Sequence, residues 1–188
     1  MERIQLTCEV VTPLFCAGAD QQRPEIRPPS IRGAMRFWFR ALMGGTLGNQ
    51  LSRLHDLESS IFGETERASA ITLRVAERRI TQKTVGDDVG RIQTGMIYLG
   101  FPFYQWQRES RTHSLRRGMI EPRSIWDLSL QLSGHDSHTL DLVMGTLWLT
   151  FLFGGLGSRG RRGFGSIKVQ SLDYKGSLIF RVVVSRAW

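Results

Sequence analysis

Apolar and polar residues alternate at the start of the chain, where Ile4, Leu6, Cys8 and Val10 are separated by Gln5, Thr7 and Glu9. That period of two predicts a half-buried strand over Ile4–Val11, ended by Thr12-Pro13. A loop over Leu14–Pro29 follows, with Pro24, Pro28 and Pro29 in it. The pattern then becomes helical. Ile31, Ala34, Met35, Trp38 and Leu42 recur at i, i+3 and i+4, predicting a helix from an N-cap at Ser30 to about Met43, stopped by Gly44-Gly45. Leu51, Leu54, Leu57 and Ile61 repeat the pattern over Leu51–Phe62, which Gly63 closes. Ala70–Ala76 and Ser124–Leu132 return to strand patterning. Asp136 or Ser137 caps a helix running to Phe153 that is apolar on nearly every face, so other elements must cover it. Ile167–Leu172 and Leu178–Val184 read as a hairpin around Tyr174-Lys175-Gly176.

Between Glu77 and Arg123 no period persists. The stretch is basic and aromatic: Arg91, Arg108, Arg111, Arg116 and Arg117 interleave with Tyr98, Phe101, Phe103, Tyr104 and Trp106. A structureless loop of that length is unusual in a compact domain. A protruding hairpin or subdomain whose order depends on a partner is therefore expected, with Met96–Phe103 as one of its strands. The element order matches a ferredoxin-like β-α-β-β-α-β unit, an α+β fold with a long insertion between its middle strands. One domain over 1–188 with an inserted arm at about 77–123 is the predicted organisation. Helices on one face of such a sheet leave the other free for RNA or another subunit.

Composition sharpens the picture. The 188 residues carry 25 basic and 17 acidic side chains, for a formal net charge of +8, and Lys83, Lys168 and Lys175 are the only lysines. Arginine forks onto phosphates and stacks on bases, so the bias favours nucleic acid, although a GC-rich genome also raises arginine usage. Cys8 and Cys16 form no CxxC half-site, which fits a reducing cytoplasm without metal or cofactor. MERIQLTCEV lacks a basic region followed by an apolar core, so no signal peptide is expected. Leu142–Phe153 is too short an apolar run to span a bilayer.

The stretch Gly154–Ser166, GGLGSRGRRGFGS, contains six glycines and three arginines and no acidic residue. It suits a loop that holds a polyanion against main-chain N–H groups and guanidinium forks. A dinucleotide-binding reading of Gly155-Leu-Gly157-Ser-Arg-Gly160 needs a strand before it and a helix after it, and the order here is reversed. A P-loop needs Lys-Ser/Thr where Arg161-Arg162 stand. A second basic feature lies on the first helix, where Arg32, Arg36 and Arg40 recur every fourth residue. Like charges at that spacing repel by about 0.2–0.5 kcal/mol per pair. No acidic residue lies between Glu25 and Asp56, so the row calls for an external anion or distant carboxylates.

Thr12-Pro13-Leu14-Phe15, the string RPPSIRGAMRFWFR over Arg27–Arg40, Ile61-Phe62-Gly63 and the glycine loop together resemble the RAMP superfamily of CRISPR proteins. Within it, the Arg27–Arg40 string is most similar to the first RAMP subunits of type III-B Cmr effector complexes. The resemblance covers Thr12 to about Ser166. It implies a ferredoxin-like RNA-recognition fold and membership of a cytoplasmic ribonucleoprotein for antiviral defence in a prokaryote. The partners implied are guide RNA (crRNA), target RNA and other effector subunits. The subunit would sit at the end distant from the guide's 5′ tag, binding the guide's 3′ region or the target paired there, without cutting. Subunits of this type commonly carry a second RAMP-like half, so a minimal member, a split half and a related single-domain RAMP all remain open. The RNA-binding residues expected are Arg27, Ser30, Arg32, Gly33, Arg36 and Arg40, with Gly155, Gly157, Ser158, Arg159, Gly160, Arg161, Arg162 and Gly163.

Two enzymatic alternatives stand beside that reading, along with a purely structural scaffold. A guide-processing endoribonuclease needs a general base, usually histidine, near the attacking 2′-OH. His55, His113, His135 and His138 all lie off the Ser30–Met43 helix. A target-cleaving backbone subunit needs an aspartate on a protruding loop. Asp87 and Asp88 are the candidates there, though Gly86-Asp-Asp-Val-Gly90 also suits a plain turn.

Overall fold

The computed structural model describes residues 2–133 and 137–174. In chain order the elements are β1 (Glu2–Val10), α1 (Pro28–Leu47), α2 (Leu51–Phe62), β2 (Ile71–Arg79), β3 (Gln82–Lys83) and α3 (Thr94–Leu99). Then come a 3₁₀ turn (Phe101–Phe103), β4 (Tyr104–Gln107), β5 (Thr112–Leu115), β6 (Met119–Ile120) and β7 (Ile125–Leu132). α4 (Ser137–Leu149), a π turn (Thr150–Gly154) and β8 (Ile167–Tyr174) complete the described chain. His135, the Asp136 cap and the strand expected over 178–184 lie outside the described residues.

The main sheet has the order β2-β7-β1-β8, with every neighbour antiparallel. Setting the arm's short strands aside, this is the second-third-first-fourth order of a ferredoxin-like unit, and the fold is α+β as expected. Its inner face buries Ile4, Leu6, Cys8 and Val10 of β1 against Trp126, Leu128 and Leu130 of β7. α1 and α4 cover that face with Ile31, Met35, Phe39, Val143 and Leu147. Each such side chain contributes about 1.5–3 kcal/mol on burial. Trp126, 0% exposed with Phe151 edge-on at 6.4 Å, fills the middle. The outer face is polar, presenting Gln5, Thr7, Arg74, Ser129, Gln131 and Lys168.

Helix α1 differs from its predicted outline at both ends. Its N-cap is Arg27, not Ser30, and Pro28 and Pro29 occupy the first turn. There a missing N–H costs nothing and a fixed φ is already helical. The helix passes through Gly44-Gly45 and ends at Leu47. Both glycines face open space, and burial of Leu47 offsets a cost of about 1 kcal/mol for each. The core stripe is Ile31, Met35 and Phe39, an i+4 ridge, with Trp38 turned to one side and Leu42 exposed.

The arm is folded. Met96–Phe103 is not a strand: α3 and the 3₁₀ turn occupy it, because Gly100 and Pro102 interrupt any extended run. Phe103, Tyr104, Leu115 and Met119 form a second apolar cluster with Phe15 and Phe164. Phe15 stacks on Phe103 at 3.8 Å, and Phe164 meets Phe103 edge-on at 5.4 Å. The arm thus braces the loop after β1 and the glycine loop before β8. Of its aromatic residues, Tyr98, Phe101 and Trp106 remain exposed.

Candidate nucleic-acid interface

The glycine loop is a fixed object. Leu156 N–H donates to Gly165 O at 2.9 Å, Ser158 N–H to Phe15 O at 2.8 Å and Gly165 N–H to Pro13 O at 3.0 Å. Ser166 N–H donates to Thr12 Oγ1 at 2.9 Å. Gly157 shows why glycine is needed: its φ is 74°, and a Cβ would run into the Phe15 carbonyl. Arg159, at φ 59°, takes the same left-handed conformation without that licence, at the loop's tip. Among the described residues, the amides of Gly160, Arg161 and Gly163 donate to no other backbone group.

Opposite the loop stands α1. Ser30, Ala34, Phe37 and Trp38 on the helix, with Gly154, Gly155, Gly157, Arg159, Gly160, Arg161 and Arg162 on the loop, line a groove of about 480 Å³. Among the described residues no acidic one lines it. Arg161 lies over the Phe37 ring at 4.4 Å, and among the described residues Arg159, Arg161 and Arg162 form no ion pair. Such a groove, with unpaired guanidiniums and free amides on one wall, is suited to phosphates. The structure therefore brings together Ser30 and most of the predicted loop residues. Phe37 and Trp38 were missed as groove residues by sequence reasoning. The available signal was that Phe37 falls off the apolar stripe of its own helix.

The arginine row lies elsewhere. Arg32, Arg36 and Arg40 are each two residues from Ser30, Ala34 and Trp38, which puts them about 200° around the helix. Arg36 and Arg40 reach Glu58 of α2, at 3.6 Å and 3.1 Å, and Glu58 is buried. Arg36 also donates to Gly63 O, and Arg32 donates to Ile71 O at 3.2 Å. The distant carboxylate exists: one for two guanidiniums, so the row keeps a net positive charge. Together with Gly63, Glu64 and Arg67, Arg32 and Arg36 line a second groove of about 470 Å³. Gly33 lines the second groove too, on the solvent side of α1, with open space above it. Arg27 pairs with Glu25 at 3.1 Å and serves the loop it caps.

The histidines do not converge. His55 is exposed, 3.8 Å from Glu64, while His113 is buried edge-on against Trp106 at 4.9 Å rather than lying in a mobile segment. His138 is exposed in the first turn of α4. Asp87 accepts Thr84 N–H at 2.7 Å, and Asp88 accepts Gly90 N–H at 2.7 Å, both as turn formers. Among the described residues no cluster of His, Cys, Asp and Glu is placed to hold a metal, and no helix is long and apolar enough to cross a membrane.

A sheet of this order, helices on one face and a glycine-arginine loop leading into its last strand define a ferredoxin-like, RAMP-type unit. The family model of the RAMP superfamily matches residues 7–168, and the chain belongs to that superfamily. It is 34% identical over 174 residues to the CRISPR system Cmr subunit Cmr1-2 of Pyrococcus furiosus, covering 87% of this chain and 93% of that one. Among solved structures, Cmr1 from Pyrococcus furiosus in its apo form matches with a TM-score of 0.61 and 26% identity, over 93% of this chain and 51% of that one. A chain of the type III-B Cmr-beta complex bound to cognate target RNA matches at TM-score 0.64 and 15% identity, over 98% of this chain and 57% of that one. The chain thus spans nearly all of one relative and about half the length of the other two.

Proposed function

We propose that this chain is a non-catalytic RNA-binding subunit of a Cmr-like type III CRISPR effector complex, working in the prokaryotic cytoplasm. It holds the 3′ region of the guide RNA, or the target paired there, beside neighbouring effector subunits. The observation that carries the reading is the groove between α1 and the glycine loop, where among the described residues the three loop arginines have no ion-pair partner and no carboxylate is part of the lining. Contacts of this kind grip phosphates and carry no sequence information, which suits a subunit that must accept any guide. The row of Arg32, Arg36 and Arg40 acts as a second, weaker phosphate contact across α1, since Glu58 balances part of its charge. The outer face of the sheet offers no aromatic ring among the described residues, so an RRM-type base platform there is not part of the proposal.

The test is a filter-binding salt titration with unrelated single-stranded RNAs. Replacing Arg159, Arg161 and Arg162 by alanine weakens binding about equally for all sequences and flattens the slope of log K against log salt by roughly 0.7 for each phosphate no longer gripped. Unchanged affinity and slope reject the reading. The endoribonuclease alternative finds little support in a groove that no histidine among the described residues lines. Cleavage of labelled repeat RNA by the purified chain in EDTA would reinstate it.

A further inference from the structure

Four aromatic rings form a ladder leading out of the groove. Phe37 lies 5.5 Å from Trp38, Trp38 lies 6.3 Å from Phe153, and Phe153 lies 6.1 Å from Trp148. Phe37 is 40% exposed and Phe153 is 60% exposed. Local structure explains the exposure. α1 buries Ile31, Met35 and Phe39, which leaves Phe37 on the solvent side. The π turn directs Phe151 inward onto Trp126 and leaves Leu152 and Phe153 outside. Gly154 lets the Trp38 indole pack onto the backbone, where a Cβ would collide with Nε1. A contiguous apolar surface of this kind ordinarily marks a binding site. The charge beside it identifies the occupant: Arg159, Arg161 and Arg162 border it with no ion pair among the described residues, and Arg161 covers one face of Phe37 at 4.4 Å.

We infer that this ladder is a stacking platform for unpaired RNA bases, so that the groove takes single-stranded RNA in preference to duplex. The inference rests on the RNA-binding reading above and adds to it the form of RNA. A single strand presents phosphates and free base faces on alternate sides, which matches arginines on one wall and aromatic rings on the other. A duplex keeps its bases stacked on one another and offers only phosphates to the loop. In the unliganded chain Arg161 occupies the Phe37 face by a cation–π contact. On binding, a base takes that face and the guanidinium moves to the adjacent phosphate.

The experiment uses the full chain with a twelve-nucleotide RNA carrying one 2-aminopurine, as a single strand and as a blunt duplex. Phe153→Ala and Phe37→Ala are compared with Arg159→Ala and Arg162→Ala. Phe153 is exposed, so its replacement leaves the thermal midpoint near that of the parent, and Phe153→Trp retains the platform. The expected result is an approximately tenfold weaker single-strand affinity for Phe153→Ala, with less 2-aminopurine quenching, an unchanged salt slope and rescue by Phe153→Trp. Duplex affinity stays the same. If both phenylalanine variants bind single strands as the parent does while the arginine variants are impaired, the ladder is rejected and the phosphate groove stands. Equal losses for single strand and duplex reject it too. A parent chain that binds no RNA rejects both.

Discussion

The guanidinium of Arg40 on α1 lies 3.1 Å from the carboxylate of Glu58 on α2, a side chain only 8% exposed. Arg36 shares that carboxylate from 3.6 Å. Glu58 serves both guanidiniums, so losing its charge removes two ion pairs and sets Arg36 against Arg40, whereas losing Arg40 leaves Arg36 to pair the carboxylate. Glu58→Gln is therefore expected to lower stability by about 2 kcal/mol, and Arg40→Ala, whose side chain is 52% exposed, by less than about 1 kcal/mol. Urea unfolding with an unchanged m-value measures both. A larger effect from Arg40→Ala would contradict the assignment of Glu58 as the buried hub.

Gly157→Ala forces a side chain onto a residue at φ 74° and into the Phe15 carbonyl. The expected cost is about 1–3 kcal/mol, with faster hydrogen exchange at the Ser158 amide that bonds Phe15. Exchange at Ser158 equal to the parent's would show that the loop does not depend on this hydrogen bond.

Gly33→Ala separates stability from binding. Open space surrounds Gly33 within α1, so alanine gains up to about 1 kcal/mol of helix stability. If RNA crosses α1 between the two grooves, the added methyl weakens binding in a more stable protein. A thermal melt and a binding isotherm on one preparation test this, and a rise in both quantities would place the RNA path elsewhere.

Phe103→Ala removes a ring stacked on Phe15 at 3.8 Å and packed against Phe164 of the glycine loop. A destabilisation of about 3–5 kcal/mol is expected. Because the cavity opens beneath the loop, amides at Leu156 and Ser158 should lose protection more than those of β7.

Burial, reinforced by the nearby Asp127 carboxylate, pushes the Cys8 thiol well above its ordinary value of 9.0. The folded state then holds a proton that the unfolded chain releases, so stability is full below pH 9 and falls as pH rises beyond it. The slope is at most about 1.4 kcal/mol per pH unit for one group. Cys8→Ala flattens the fall, and an equally steep decline in that variant would assign it to another group, such as Tyr104, which burial also raises.

Much of this was legible in the chain. β1 and β7 follow from alternation because each buries one simple face, whereas α2, placed by its apolar stripe, leaves Leu51 exposed and buries Glu58 and Ser59 beside Ile61 and Phe62. The glycine loop was legible because no ordinary turn needs six glycines beside three arginines. Glu58 was not, because it becomes a neighbour of Arg36 and Arg40 only when α2 folds back on α1. The arm was misread at Met96–Phe103, where Phe103 follows its partner Phe15 rather than local period. Trp38 was assigned to the core because helical spacing says which residues share a face, and not how far that face extends. A ring near the edge of the stripe lines the groove instead.

The glycine loop is held at Thr12 and Pro13 by residues more than 150 positions further along the chain, the Ser166–Thr12 bond spanning 154. Bonds that close so long a circuit form after local structure, since loop entropy opposes them until the elements in between have formed. The groove is then expected to close together with the β1–β8 pairing, whose partners, such as Ile4 and Tyr174, lie at least as far apart in the chain. A refolding experiment should find helical circular dichroism returning ahead of the change in Trp38 fluorescence that follows its packing on Gly154. RNA present during synthesis would meet finished helices before it met a finished grip.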